Sequence, residues 1–218
     1  MTLAPLSSTP RSTLTRKKDR AATDRQALYD VLREGLICHL GLVRDGAPVV
    51  LPTGYGRDGD TLYLHGSTGS GNIRDAARGI DVCVTVTLVD AIVYARSLNN
   101  HSMNYRSAVI HGRARQVTDA DEKTRALRAL TDQLAPGSWE HARGVNAKES
   151  ASVAVIAVDL AEAAVKIRAG DAIDEPEDVE TGTAWAGVLP VRTVFGPPEP
   201  ASYVPDGTPV PPHVHDRA

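Results

Sequence analysis

The stretch Thr61-Leu-Tyr-Leu-His-Gly-Ser-Thr-Gly-Ser-Gly-Asn72 decides between two folds. Gly66 and Gly71 have the G-x-x-x-x-G spacing of a phosphate-cradling loop, but a nucleoside-triphosphate loop continues with Lys and then Ser or Thr. This chain has Asn72 and Ile73 there. Such a loop also stands between a parallel strand and a long helix. Here the strand before it belongs to a series of short apolar runs, Leu36 to Val43, Val49 to Tyr55 and Thr61 to His65. Arg44-Asp-Gly-Ala47 and Arg57-Asp-Gly-Asp60 separate them. Asp-Gly between apolar runs is a tight-hairpin signal, so the three runs are read as one antiparallel meander.

Working outward, Val82, Val84, Val86 and Leu88 alternate as in a half-buried strand, and further strands are expected at Ala91 to Arg96, Ser107 to Val117, Ser152 to Asp159 and Ala163 to Arg168. Helices are expected from Ala22 to Glu34, from Asn72 to Arg78 and from Asp119 to Leu134. About eight short strands with a few helices point to a mainly β protein with flanking helices, built as a closed or split antiparallel β-barrel. Residues 1–20, rich in Ser, Thr and Pro and then basic, are expected to be a flexible N-terminal segment. Residues 21–196 form the domain, and 197–218 form a Pro-rich tail.

With 218 residues, 42% of them hydrophobic, the chain can bury a sizeable core. A net charge of -3 supplies no basic stripe, which argues against nucleic acid as a partner. There is neither a membrane-length apolar run nor a signal-peptide core, so a cytoplasmic protein is expected. Cys38 and Cys83 lie inside apolar runs and are read as reduced core residues. The histidines lack metal-ligand spacing, so no metal site is assigned. No G-x-S-x-G elbow is present, which argues against covalent hydrolysis.

Four features are left that could carry chemistry. The Gly66 to Asn72 loop has three glycines to let N–H groups converge and hydroxyls at Ser67, Thr68 and Ser70, so it reads either as an anion nest or as a slack connector. Arg106 and Ser107 would sit at a strand mouth, where a guanidinium fork and a hydroxyl suit a phosphate; a solvated loop arginine is the plainer reading. His65 ends a strand, placed to touch a ligand, to deliver a proton, or simply to cap a neighbouring carbonyl. Trp185, one of two tryptophans, either stacks on a flat ligand or lids the core.

Taken in order, Leu51-Pro-Thr-Gly-Tyr55, Leu62-Tyr-Leu-His-Gly66, Val82-Cys-Val-Thr-Val86, Tyr105-Arg-Ser-Ala-Val-Ile-His-Gly112 and Trp185-Ala-Gly-Val-Leu-Pro190 resemble the pyridoxamine 5′-phosphate oxidase-like, FMN-binding split-barrel superfamily. The likeness is to its flavin-nucleotide-binding, nitroimidazole-reductase-like branch. It implies a split-barrel homodimer with FMN in clefts at the subunit interface. By position, Leu51, Pro52 and Thr53 would run along the isoalloxazine edge. His65, Gly66, Ser67, Ser70 and Asn72 would wrap the ribityl phosphate, and Arg106 and Ser107 would complete it. Trp185, from one subunit or the other, would face the ring, and His65 is the candidate catalytic residue. Where the oxidases place an Arg-Lys pair to grip the phosphate, this chain has Gly69-Ser-Gly-Asn72, and their C-terminal substrate signature is not evident. The function implied is an FMN-dependent oxidoreductase moving electrons from NAD(P)H to a small acceptor. The alternative is a flavin- or haem-binding carrier or sensor.

Overall fold

A computed structural model describes residues 5–217. After a strand of two residues, β1 (Ala21–Ala22), comes helix α1 (Arg25–Glu34), started by Asp24, whose Oδ1 accepts from the Gln26 N–H at 2.9 Å. Leu28, Val31 and Leu32 line its buried face, at helical spacing. β2 (Cys38–Arg44) and β3 (Ala47–Thr53) form a hairpin whose turn residues, Asp45 (φ 50°) and Gly46 (φ 78°), are both left-handed, the two-residue turn read from Asp-Gly. β4 (Tyr55–Asp58) and β5 (Thr61–Ser67) form the second hairpin, followed by helix α2 (Gly71–Ala77).

The expected meander is broken at Gly54. β3 belongs to one sheet and β4 to another, so a single residue carries the chain across. The long β6 (Asp81–Tyr94) corrects a second expectation: the two strands read at Val82 to Val89 and Ala91 to Arg96 are one strand, with a bulge at Asp90 that shifts its register against β7 (Ser102–Arg113). β8 (Arg115–Gln116), α3 (Ala120–Leu134), α4 (Ser138–His141) and α5 (Ala147–Ser152) lead to β9 (Val153–Asp159) and β10 (Glu162–Arg168). Beyond them lie α6 (Pro176–Thr181), β11 (Gly187–Pro190) and α7 (Pro212–His215).

All strand pairs are antiparallel. The larger sheet runs β1-β10-β7-β6-β2-β3, with β11 on the outer half of β6; the smaller runs β4-β5-β9-β8. Their inner faces meet through Leu40, Val84 and Ile110 on one side and Leu62, Leu64 and Ile156 on the other, all fully buried, with α1 as a plug. This is the split antiparallel barrel expected from the alternation. α3 covers the back of the smaller sheet, Ala126 and Leu130 packing on Tyr63, Val155 and Ala157. Both terminal segments touch the body: Arg11 Nη2 lies 2.6 Å from Glu162 Oε2, and Arg217 Nη1 donates to the Leu134 carbonyl at 2.6 Å. Among the described residues no helix is long and apolar enough to cross a membrane.

Gly56 on β4 is where α3 comes closest, since a Cβ there would stand 2.4 Å from the Ala129 carbonyl carbon and the Leu130 nitrogen. Backbone cannot yield as a side chain can. Gly56→Ala is therefore expected to cost about 1–3 kcal/mol of stability through overpacking, read from urea unfolding midpoints at unchanged slope. A midpoint equal to that of the parent would show that α3 slides freely on the sheet.

Candidate functional site

The loop after β5 is tightly bonded. His65, Gly66 and Ser67 pair with Val155, Ala154 and Val153 of β9, and the Thr68 N–H donates to the Ser152 carbonyl at 2.9 Å. The Ser67 hydroxyl accepts from the Gly69 N–H at 3.1 Å, and its carbonyl accepts from the Ser70 N–H at 2.8 Å. These bonds wind residues 67–71 into a compact turn, so the slack-connector reading fails. The half-buried Ser70 hydroxyl makes no cap bond to α2.

The loop lacks a cation of its own, and the fold supplies one. Arg44, at the end of β2, lays its guanidinium over Gly71: a Cβ on that glycine would sit 3.0 Å from both Nη1 and Nη2. Arg44 Nη1 donates to Asn72 Oδ1 at 3.4 Å, and Nε lies 3.2 Å from Asp75 Oδ2. The sequence reading missed Arg44 because 27 residues separate it from Gly71. The available signal was the Arg44-Asp-Gly-Ala47 turn, read for its backbone alone.

β3 is the last strand of its sheet, so one side of its backbone has no strand partner. Leu51 and Thr53 are half-buried and Pro52 is exposed. From Ala47, which pairs with Arg44, to Thr53 the open edge spans roughly 20 Å, so one margin joins the edge to the cation and the loop. His65 keeps solvent contact, yet desolvation by the atoms around it pushes its pKa below the ordinary imidazole value.

Arg106 and Ser107 do not join this margin within one chain. Leu42 pairs with Val82 and Arg106 with Leu88, six residues apart on β6, so the arginine is roughly 20 Å along the sheet from the Arg44 end. Its charge is also already engaged. Nε and Nη2 bond both oxygens of Asp90, Nη1 lies 2.8 Å from Glu34 Oε2, and these two acids, Asp90 foremost, hold its pKa above the ordinary arginine value. Within one chain, then, Arg106 and Ser107 stand apart from the loop, and Arg106 is paired with Asp90 and Glu34. Ser107 Oγ donates to the Lys166 carbonyl at 3.5 Å. Trp185 lies still farther along β6, 69% exposed, its ring 6.0 Å from that of Tyr94 and packed on Gly187. It lids no core. Among the described residues no group of three metal-binding side chains occurs.

Comparison with known proteins bears on the fold and the family. The flavocytochrome Anf3 from Azotobacter vinelandii is 35% identical, with a TM-score of 0.90 over 98% of this chain and 99% of its own. The FAD and haem binding protein from Mycobacterium smegmatis is 38% identical, with a TM-score of 0.87 over 91% and 97%. A protein described as conferring 5-nitroimidazole antibiotic resistance, from Bacteroides thetaiotaomicron, shares the fold at 24% identity and a TM-score of 0.58, over 67% of this chain and 86% of its own. No curated protein matches. The family model described as pyridoxamine 5′-phosphate oxidase matches residues 24–167, and with it the chain belongs to the pyridoxamine 5′-phosphate oxidase-like split-barrel family.

Proposed function

We propose that this chain is a redox protein that holds a flavin nucleotide along the β3 edge, with its phosphate at the Ser67 to Asn72 loop, and that it carries a haem as well. The observation that carries the flavin half is Arg44 over Gly71, a cation at a loop of hydroxyls and exposed turn amides. Leu51, Pro52 and Thr53 would face the ring, while His65, Gly66, Ser67, Ser70 and Asn72 would surround the ribityl phosphate. FMN and FAD share the part these residues address. Bound flavin supplies hydride and one-electron chemistry, and the chain's part is to hold the ring and exclude water.

The haem half is supported by extent. The family model ends at residue 167, while the neighbours that share nearly the whole chain are a flavocytochrome and an FAD and haem binding protein. The donor set fits. A tetrapyrrole brings four nitrogens and asks the protein for one or two, a demand that a single histidine can meet.

A homodimer completes the reading. Ile37, Val43, Val50 and Val89 are 41–64% exposed, and Val43 and Val50 share the open face of the larger sheet, the kind of apolar surface that a second copy covers. Trp185 and Tyr94 would then reach over the partner subunit's flavin. The electron donor is taken to be NAD(P)H, the acceptor a small molecule, and the location the cytoplasm. Burial pushes the Cys38 thiol up to about 12, so it stays unreactive.

The protein as isolated is expected to show flavin absorbance and a Soret band, with acid extraction telling FMN from FAD. Colourless protein that takes up neither group would sink the proposal. Arg44→Ala is expected to weaken flavin binding by about 1.5–3 kcal/mol, measured by fluorescence quenching; unchanged affinity would place the phosphate elsewhere. Anaerobic bleaching by NADPH or NADH separates a reductase from a carrier.

His65 gives a pH-dependent prediction. Its folded pKa lies below the unfolded value of 6.5, so its contribution to stability is present above 6.5 and lost as pH falls through the folded pKa. In NMR titration its ring should change charge below 6.5, and a midpoint at or above that value would contradict the crowding described.

A further inference from the structure

A cleft of about 640 Å³ lies between the end of α1, the bulge of β6 and the segment 191–195. That volume is within the usual span of small-molecule sites. Ile37, Val89, Val191, Val194 and Phe195 give it apolar walls, and each is 41–79% exposed. The outer wall is pinned at both ends. The Val191 N–H donates to the Asp90 carbonyl at 2.9 Å. At the other end the Arg217 guanidinium lies 4.1 Å over the Phe195 ring, and its Nη1 donates to the Leu134 carbonyl at 2.6 Å. Apolar side chains are thus held in the open on a wall fixed from both sides, the usual mark of a surface that meets a ligand.

The polar groups of the cleft say what kind of ligand. Its charged side chains are Glu34, Asp90, Arg106 and Arg192. The first three engage one another at the floor: Asp90 accepts from Arg106 Nε at 3.1 Å and from Nη2 at 2.8 Å, and Glu34 Oε2 lies 2.8 Å from Nη1. Arg192, exposed in the middle of the apolar wall, has no carboxylate partner among the described residues. Thr87 and Thr193 add hydroxyls to the lining. The charge left to answer is therefore a guanidinium, whose planar fork of donors suits an anionic oxygen group. The cleft also adjoins the run that would face the flavin ring, since Thr53 pairs with Cys38 and the lining residue Ile37 immediately precedes Cys38.

We infer that this cleft binds a small apolar molecule carrying one anionic group, with the apolar body against Ile37, Val89, Val194 and Phe195 and the anion on Arg192. Arg192 is then the residue that sets specificity. The ligand class rests on the lining alone. Taking that ligand as the small acceptor rests on the flavin half of the function proposed above, and gives the acceptor a chemical class.

The test is calorimetric titration of the full chain, as isolated, with anilinonaphthalene sulfonate, an apolar monoanion, and with its uncharged relative phenylnaphthylamine. The parent is compared with Arg192→Gln and Phe195→Ala, and far-UV circular dichroism and sedimentation check fold and oligomeric state. The parent is expected to bind the anion more tightly than the uncharged probe. Arg192→Gln should bind the anion roughly tenfold more weakly and the uncharged probe as before, and Phe195→Ala should weaken both. No binding, a preference for the uncharged probe, or equal affinity for the anion in the parent and Arg192→Gln overturns the inference. So does a change of oligomeric state in Arg192→Gln, which would assign the cleft to a second copy of the chain. Flavin content is read separately, by acid extraction of the same samples. Flavin-loaded protein that fails with the anion overturns the inference and leaves the flavin reading intact, whereas protein that binds the anion through Arg192 but holds no flavin upholds the ligand class and removes its role as acceptor.

Discussion

The two halves of the barrel are tied together at the last carbonyls of α1. Those of Leu32 and Gly35 would be orphaned by the end of the helix, in the middle of the core. The Tyr55 hydroxyl lies 2.8 and 2.9 Å from them, and Gln133 Nε2 donates to them at 2.9 and 2.6 Å. Tyr55 is the first residue after the chain crosses between sheets at Gly54, and Gln133 comes from α3 on the back of the smaller sheet. One helix end thus joins the plug, the crossover and the outer helix. Burial raises the Tyr55 pKa far above the ordinary phenol value, so its proton is always present to donate. A side chain at Gly35 would meet that hydroxyl and Val86 at 2.5 Å, which holds the position to glycine and leaves α1 ending against the large cleft.

The same rigidity explains how charge is distributed. Two arginines on the larger sheet have opposite fates. Arg106 stands between Asp90, which the bulge of β6 presents, and Glu34 at the end of α1, so its field is cancelled locally and its role is to brace the cleft. Arg44 meets its acids, Asp75 at 3.2 Å and the exposed Asp45 at 3.8 Å, through Nε, and lies half-exposed over a glycine. At Arg106, by contrast, carboxylates engage Nε, Nη1 and Nη2 together. The loop that lacks the family's cationic pair is thus not left without a positive charge.

Much of the fold was legible because its signals are local. Asp-Gly at 45–46 and 58–59 announces tight turns, alternation at Val82 to Leu88 announces a strand, and Asp24 before the apolar stripe announces α1. The candidate site was half legible. The loop and the Leu51 to Thr53 run carry motifs in consecutive residues, so they could be named with their neighbours in view. Arg106 could be named only by its place at a strand mouth and by the resemblance, because its pairing with Asp90 depends on the bulge of β6 and that with Glu34 on the end of α1.

By itself, then, the sequence determined the hairpins, the helices, the antiparallel class and the motifs that mark the family. Each depends on backbone preferences and side-chain periodicity within a few residues. The tertiary structure alone decided that the chain changes sheets at Gly54, that Arg44 lies over Gly71, and that Asp90 and Glu34 engage Arg106. These are encounters through space between residues far apart in the chain. Strand register and the packing of one sheet against another set them, and neither is written in any short run of residues.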